Sequence, residues 1–73
     1  MQMYVGDGVT YSAELFRVKG NSYRRLEHEG HGYIVERVND ELVYVFNGVR
    51  IALVHKKDII INHRSKENRF DEA

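Results

Sequence analysis

The chain reads as an all-β protein, either a small closed barrel or a strongly bent antiparallel meander of five or six short strands. Three observations lead there. The stretch from His31 to Asn62 is a series of short apolar-alternating runs separated by Asn-Gly, Asn-Asp and Lys-Lys-Asp breaks. The one candidate helix, Ala13-Glu14-Leu15-Phe16 behind Ser12, meets Gly20 within two turns and is too short to stand alone. Proline is absent, so the turns fall to Gly, Asn and Asp. So many short strands in so short a chain cannot leave their edges open without risking edge-to-edge pairing. Bending the sheet into a barrel, or dimerising an open sheet, removes that hazard.

The first element is a short strand around Gly6-Asp7-Gly8, flanked by Val5 and Val9. A strand is then expected to end at Val18, with a turn at Lys19-Gly20-Asn21 and a return strand from Ser22 to about His28. Glu27 to Gly32 is a polar, glycine-punctuated connection or a bulged strand. Tyr33 to Val38 is the next strand. A two-residue turn at Asn39-Asp40 would place Tyr33 opposite Phe46 and Val35 opposite Tyr44.

Asn47-Gly48 is the strongest hairpin signal, because a type I′ turn needs positive φ at both central residues. It pairs Phe46 with Val49, Tyr44 with Ile51 and Leu42 with Leu53. Those six share one face, since side chains alternate with period two. They are the expected core. The opposite face would carry Val43, Val45, Ala52 and Val54 as an apolar interface, for a partner or a second copy, unless the first hairpin or the tail covers it. Lys56-Lys57-Asp58 is a tight connection, and Ile59-Ile60-Ile61 a short last strand. Residues 1–62 are read as one small β domain. Residues 63–73 are read as a polar tail, frayed or forming one helical turn behind Ser65.

Seventy-three residues make one domain. A chain of this size buries only about 60% of its unfolded surface, so its stability is marginal. It has no cysteine, which excludes disulfides and thiolate metal sites and points to a reducing compartment. No apolar run approaches the ~20 residues of a membrane span, and MQMYVGDG lacks the basic and apolar regions of a signal peptide. A cytoplasmic location, with no membrane association, is the expectation. Eleven basic and eleven acidic residues cancel, which argues against a strong sequence-independent grip on a phosphate backbone.

Val5-Gly6-Asp7-x-Val9, Gly30-x-Gly32-Tyr33-Ile34-Val35 and Leu42-x-Tyr44-x-Phe46-x-Gly48 together resemble the SH3-like small barrels, including KOW-type and Tudor-type modules. The resemblance implies a barrel entered by a "GD-x-V" strand, followed by a glycine-led strand and an alternating strand ending in a tight turn. The chain departs from the pattern in its long Gly6–Gly30 interval, which holds an extra hairpin. His28, Glu29 and His31 also stand where KOW modules carry basic residues. Members of this class bind either proteins or nucleic acids.

Two surfaces could carry function. Lys19, Tyr23, Arg24 and Arg25 cluster on the first hairpin, and Arg50, Lys56 and Lys57 lie late in the chain with Arg64 and Lys66. Cations interleaved with aromatics can hold single-stranded nucleic acid, yet lysines also protect strand edges. The interspersed acidic residues favour the second role. His28-x-x-His31, with His55 as a third donor, is the one candidate metal set. Its spacing matches no zinc motif, so no metal or other cofactor is expected. A pH switch is the other reading of these histidines, since imidazole as a side-chain type changes charge near neutrality, but the sequence shows no bistable element attached to them. No nucleophile motif, enclosed carboxylate pair or phosphate loop is present, and the chain reads as a non-enzyme. The leading expectation is a protein-binding adaptor or inhibitor, of the kind small phage or mobile-element chains often are. The alternative is a nucleic-acid-binding small barrel.

Overall fold

The computed structural model describes residues 2–65, and these form an all-β domain. Strands β1 (Gly8–Lys19), β2 (Ser22–Arg37), β3 (Leu42–Phe46), β4 (Ile51–His55) and β5 (Ile59–His63) are joined by tight turns, with a single 3₁₀ turn at Lys56–Asp58 before β5. All pairings are antiparallel, in the order β2-β3-β4-β1-β5, and a further β1–β2 pairing brings the sheet back on itself. The ring is only partly closed, because β1 and β4 meet at one position, Leu15 opposite Leu53. Among the described residues no helix is long and apolar enough to cross a membrane.

Two of the strands are not short. The sequence Ser12–Val18 continues β1 as a strand, and the turn falls at Gly20-Asn21, with Gly20 at φ 60°. Glu27–Gly32 is no break: β2 runs through it for 16 residues, with a bulge where β1 passes from Tyr11 to Ala13. At Gly32 a Cβ would lie 1.9 Å from the Phe46 carbonyl oxygen, so only glycine lets β2 cross that close to β3. Gly30 packs on the Tyr11 ring in the same way.

The central hairpin corrects the expected register. Phe46 faces Ile51, Tyr44 faces Leu53, Val45 faces Ala52 and Val43 faces Val54, a shift of two residues. The reason is the Asn47 backbone. Positive φ occurs only at Gly6, Gly20 and Gly48 among the described residues, so the type I′ turn does not form. Asn47 instead opens a longer loop by accepting the Val49 and Arg50 amides on its side-chain oxygen, both at 3.0 Å. A two-residue shift preserves the faces. The neighbouring turn uses the same device, with Asn39 Oδ1 accepting from Glu41 and Leu42. Tyr33 does face Phe46, but a bulge at Val35 then sets Glu36 against Tyr44.

The core lies on the other face from the one expected. Val43, Val45, Ala52 and Val54 are buried with Met3, Val9, Tyr11, Ile34 and Ile59. They fill the ring and offer no surface to a partner, which removes them as an interface. Leu42, Tyr44, Phe46 and Leu53 are half-buried outside it, and Val49 and Ile51 are exposed. Four valines, two isoleucines, Ala52, Met3 and Tyr11 fill the ring, and the other apolar face of the hairpin is left to its outer surface. Residues 63–65 are not tail either. His63 ends β5, and Ser65 N donates to the buried Asp7 carboxylate at 2.8 Å. The helical turn considered after Ser65 falls outside the described residues.

The core assignment has a direct test. Ile34→Ala should cost ~2–5 kcal/mol in urea unfolding. Ile60→Ala, on the outer surface of β5, should stay within about 0.5 kcal/mol.

Candidate binding surface

Three carboxylates are buried, and each is met by one arginine. Asp7 accepts from Arg64, from the Tyr4 amide and from the Ser65 amide. Glu14 faces both terminal nitrogens of Arg50, with Nη1 2.6 Å from Oε1 and Nη2 donating to Oε2 at 2.8 Å. Tyr11 also donates to Glu14, at 3.4 Å, and takes a hydrogen bond from Asn47 Nδ2 at 3.0 Å. Asp58, closing the 3₁₀ turn, accepts two hydrogen bonds from Arg25, at 2.8 and 3.2 Å. The Arg25 guanidinium holds the Asp58 carboxyl below its ordinary range, against the upward push of its burial.

These pairs divide the expected cationic surface. Arg25 and Arg50 are engaged with buried carboxylates. Lys56 and Lys57 sit on the 3₁₀ turn, while Lys19, Tyr23 and Arg24 lie on the first hairpin. The histidines divide too. His28 and His31 line one shallow pocket beside Asn47 and Arg50, with His28 Nε2 3.6 Å from Glu14. His55 does not line it. It caps the 3₁₀ turn, its Nδ1 accepting from Lys57 N at 3.1 Å. No group of three or more potential ligands able to hold a metal forms among the described residues.

What the sequence did not reveal on the first hairpin is its apolar side. Beyond Leu15, β1 has lost β4 and pairs only with β2, so residues 16–26 form a two-stranded arm. The molecule measures 44 × 21 × 18 Å, the elongation expected when the two longest strands outrun the ring. Antiparallel partners share a face. Phe16 lies opposite Arg24 and Glu14 opposite Leu26. Phe16, Val18, Arg24 and Leu26 line a groove of about 440 Å³. Val18 is 63% exposed and Leu26 50%. On the other face Arg17 stacks on Tyr23, 5.8 Å from the ring centre. At the arm's foot, Arg50 stacks over Phe16 at 5.9 Å. The signal in the sequence was Leu15-Phe16-x-Val18, apolar on both faces of a strand with too few partners to cover it.

No family model, curated protein or solved structure matches the chain.

Two outcomes check the ion pairs. Arg50→Met should cost roughly 1–3 kcal/mol by leaving the Glu14 carboxylate buried without its cation, and adding Glu14→Leu should recover most of the loss. For Asp58 the folded carboxyl titrates below the unfolded one, which lies near pH ~3.9. Its contribution is therefore complete above that value and is lost as pH falls through the lowered one. The stability gap between wild type and Arg25→Gln should be full at neutral pH and shrink on acidification below about pH 4. Urea midpoints taken against pH read this directly.

Proposed function

We propose that the chain is a small non-catalytic protein-binding module, an adaptor or inhibitor built on an SH3-like ring, and that the β1–β2 arm is its docking element. One observation carries this reading. The arm projects beyond the ring as a ribbon of two strands and bears Phe16, Val18, Tyr23 and Leu26 at 40% exposure or more. A lone two-stranded ribbon is marginal in water and gains order from packing against something else. A small domain that keeps a contiguous apolar strip uncovered carries an interaction surface by default. The partly closed ring supports the SH3-like description, as do the placements of Gly6-Asp7 and Gly30-x-Gly32 at its crossings.

The nucleic-acid alternative loses support from the ion pairs. Arg25 and Arg50 face buried carboxylates, which leaves less of their charge for a phosphate.

Arm dependence tests the proposal. Proteins cross-linked to the wild-type chain in a lysate should be lost from a Val18→Ser/Leu26→Ser variant and retained by Val49→Ser, an equally apolar change on the exposed distal loop. Both variants should keep the wild-type melting curve, because neither side chain belongs to the core. An arm variant that captures the same proteins in the same yield would sink the reading.

A further inference from the structure

We infer that the groove on the arm takes a protein segment in which acidic and aliphatic side chains are interleaved, an inference that rests on the arm being the docking element. The chain is neutral overall, but its charge is not evenly spread. Residues 16–26 hold Arg17, Lys19, Arg24 and Arg25 and no Asp or Glu. Arg25 is spent on Asp58. Arg17, Lys19 and Arg24 have no carboxylate partner among the described residues. The arm is therefore a local positive field on a neutral molecule, and such a field selects partners of opposite sign.

The placement of these charges sharpens the chemistry. Phe16, Val18 and Leu26 form an apolar floor, and Arg17 and Arg24 border it. Arg24 lies directly across the ladder from Phe16, so one cation stands beside the largest apolar side chain of the floor. At the arm's foot the groove meets a second cleft of about 370 Å³, where β1 diverges from β4 and where Phe16 and Arg17 also form the wall. A segment lying along both would meet apolar surface and guanidinium groups in alternation. Its own side chains must alternate in kind to match.

The floor also separates a peptide from a nucleic acid strand. Bases bind by stacking on aromatic rings. Here the most exposed floor residues, Val18 and Leu26, are aliphatic and have no π face, whereas leucine, isoleucine or valine from a partner chain would pack on them. Three cations without partners would release few counterions from a phosphate backbone, which makes for a weak grip on its own. Against a peptide the same three charges accelerate encounter and reject basic competitors, and the floor supplies the lasting contact.

The test uses the full chain, isotope-labelled, and three probes. These are a short synthetic peptide alternating Glu with Leu and Val, its Lys-for-Glu counterpart, and a mixed-sequence single-stranded DNA of similar length. The expected result is amide shifts clustered within Phe16–Leu26 on addition of the acidic peptide, weakening as salt rises. The Lys peptide should be silent and the DNA weaker. Arg24→Glu should reduce the acidic peptide's affinity several-fold with the melting curve unchanged, and Val18→Ser should reduce it without altering the salt dependence. Equal response to the acidic and basic peptides, shifts confined to residues outside the arm, or tighter binding of the DNA at the same residues would each overturn the inference. Cross-linked partners that depend on the arm, together with no binding of the acidic peptide, would reject this chemistry and leave the docking role standing. Partners independent of the arm would reject both.

Discussion

The fold depends on three arginine–carboxylate clamps more than on any one stretch of hydrogen-bond ladder. Asp7, Glu14 and Asp58 are each 8% exposed or less, so each gave up its hydration on folding. Bare carboxylates could not remain charged in such places. Their arginines come from elsewhere in the chain. Arg64 ties the last described residues to the first turn, Arg50 ties the distal loop to β1, and Arg25 ties the arm to the 3₁₀ turn. These ties span the places where the ladder is thinnest, above all the single contact between β1 and β4. A buried ion pair adds little net stability once desolvation is counted, but losing one partner is costly. The clamps therefore tie together distant parts of the ring, while the apolar interior supplies most of the reason for folding at all.

That interior is small. Nine side chains, mainly Val, Ile and Ala, fill it, and the larger Leu42, Tyr44, Phe46 and Leu53 are left half-covered around the outside. The groove, the cleft and the shallow pocket all lie outside this interior, on the arm and beside the distal loop. The arm is thus a consequence of the packing as well as an addition to it. Once β4 ends its pairing at Leu15, Val18 and Leu26 are left largely uncovered, and Phe16 keeps only partial cover under Arg50.

The class of fold, the last three strands and the Gly20 turn could be read from the chain because local signals and tertiary structure agree at those points. The register at Asn47-Gly48 could not. Asparagine favours both positive φ and side-chain capping of the backbone, and in this loop capping prevails while its amide reaches the Tyr11 hydroxyl 36 residues away. The core face was not legible either, because both faces of the hairpin are apolar and the closure of the sheet decides which one is enclosed. At the binding surface, charge was legible and its allocation was not. Nothing local in Arg25 or Arg50 reveals that Asp58 and Glu14 lie in front of them, 33 and 36 residues away. The apolar half of the arm stayed hidden because exposure is a property of which strands fail to meet.

The clamp at Asp7 brings the two ends of the described chain together. Arg64 Nη1 donates to the Gln2 carbonyl at 2.7 Å, and Gly6 packs against Ser65 closely enough that a Cβ there would lie 2.9 Å from the serine's own. Residues 2 and 65 therefore lie side by side, and the backbone between them comes close to closing on itself. Joining residues 2 and 65 through a short linker and reopening the chain at Asn39-Asp40, an exposed turn, would keep the strand ladders and the three clamps. Such a circular permutant would carry the arm on an uninterrupted segment far from either new terminus, a form suited to grafting onto another protein.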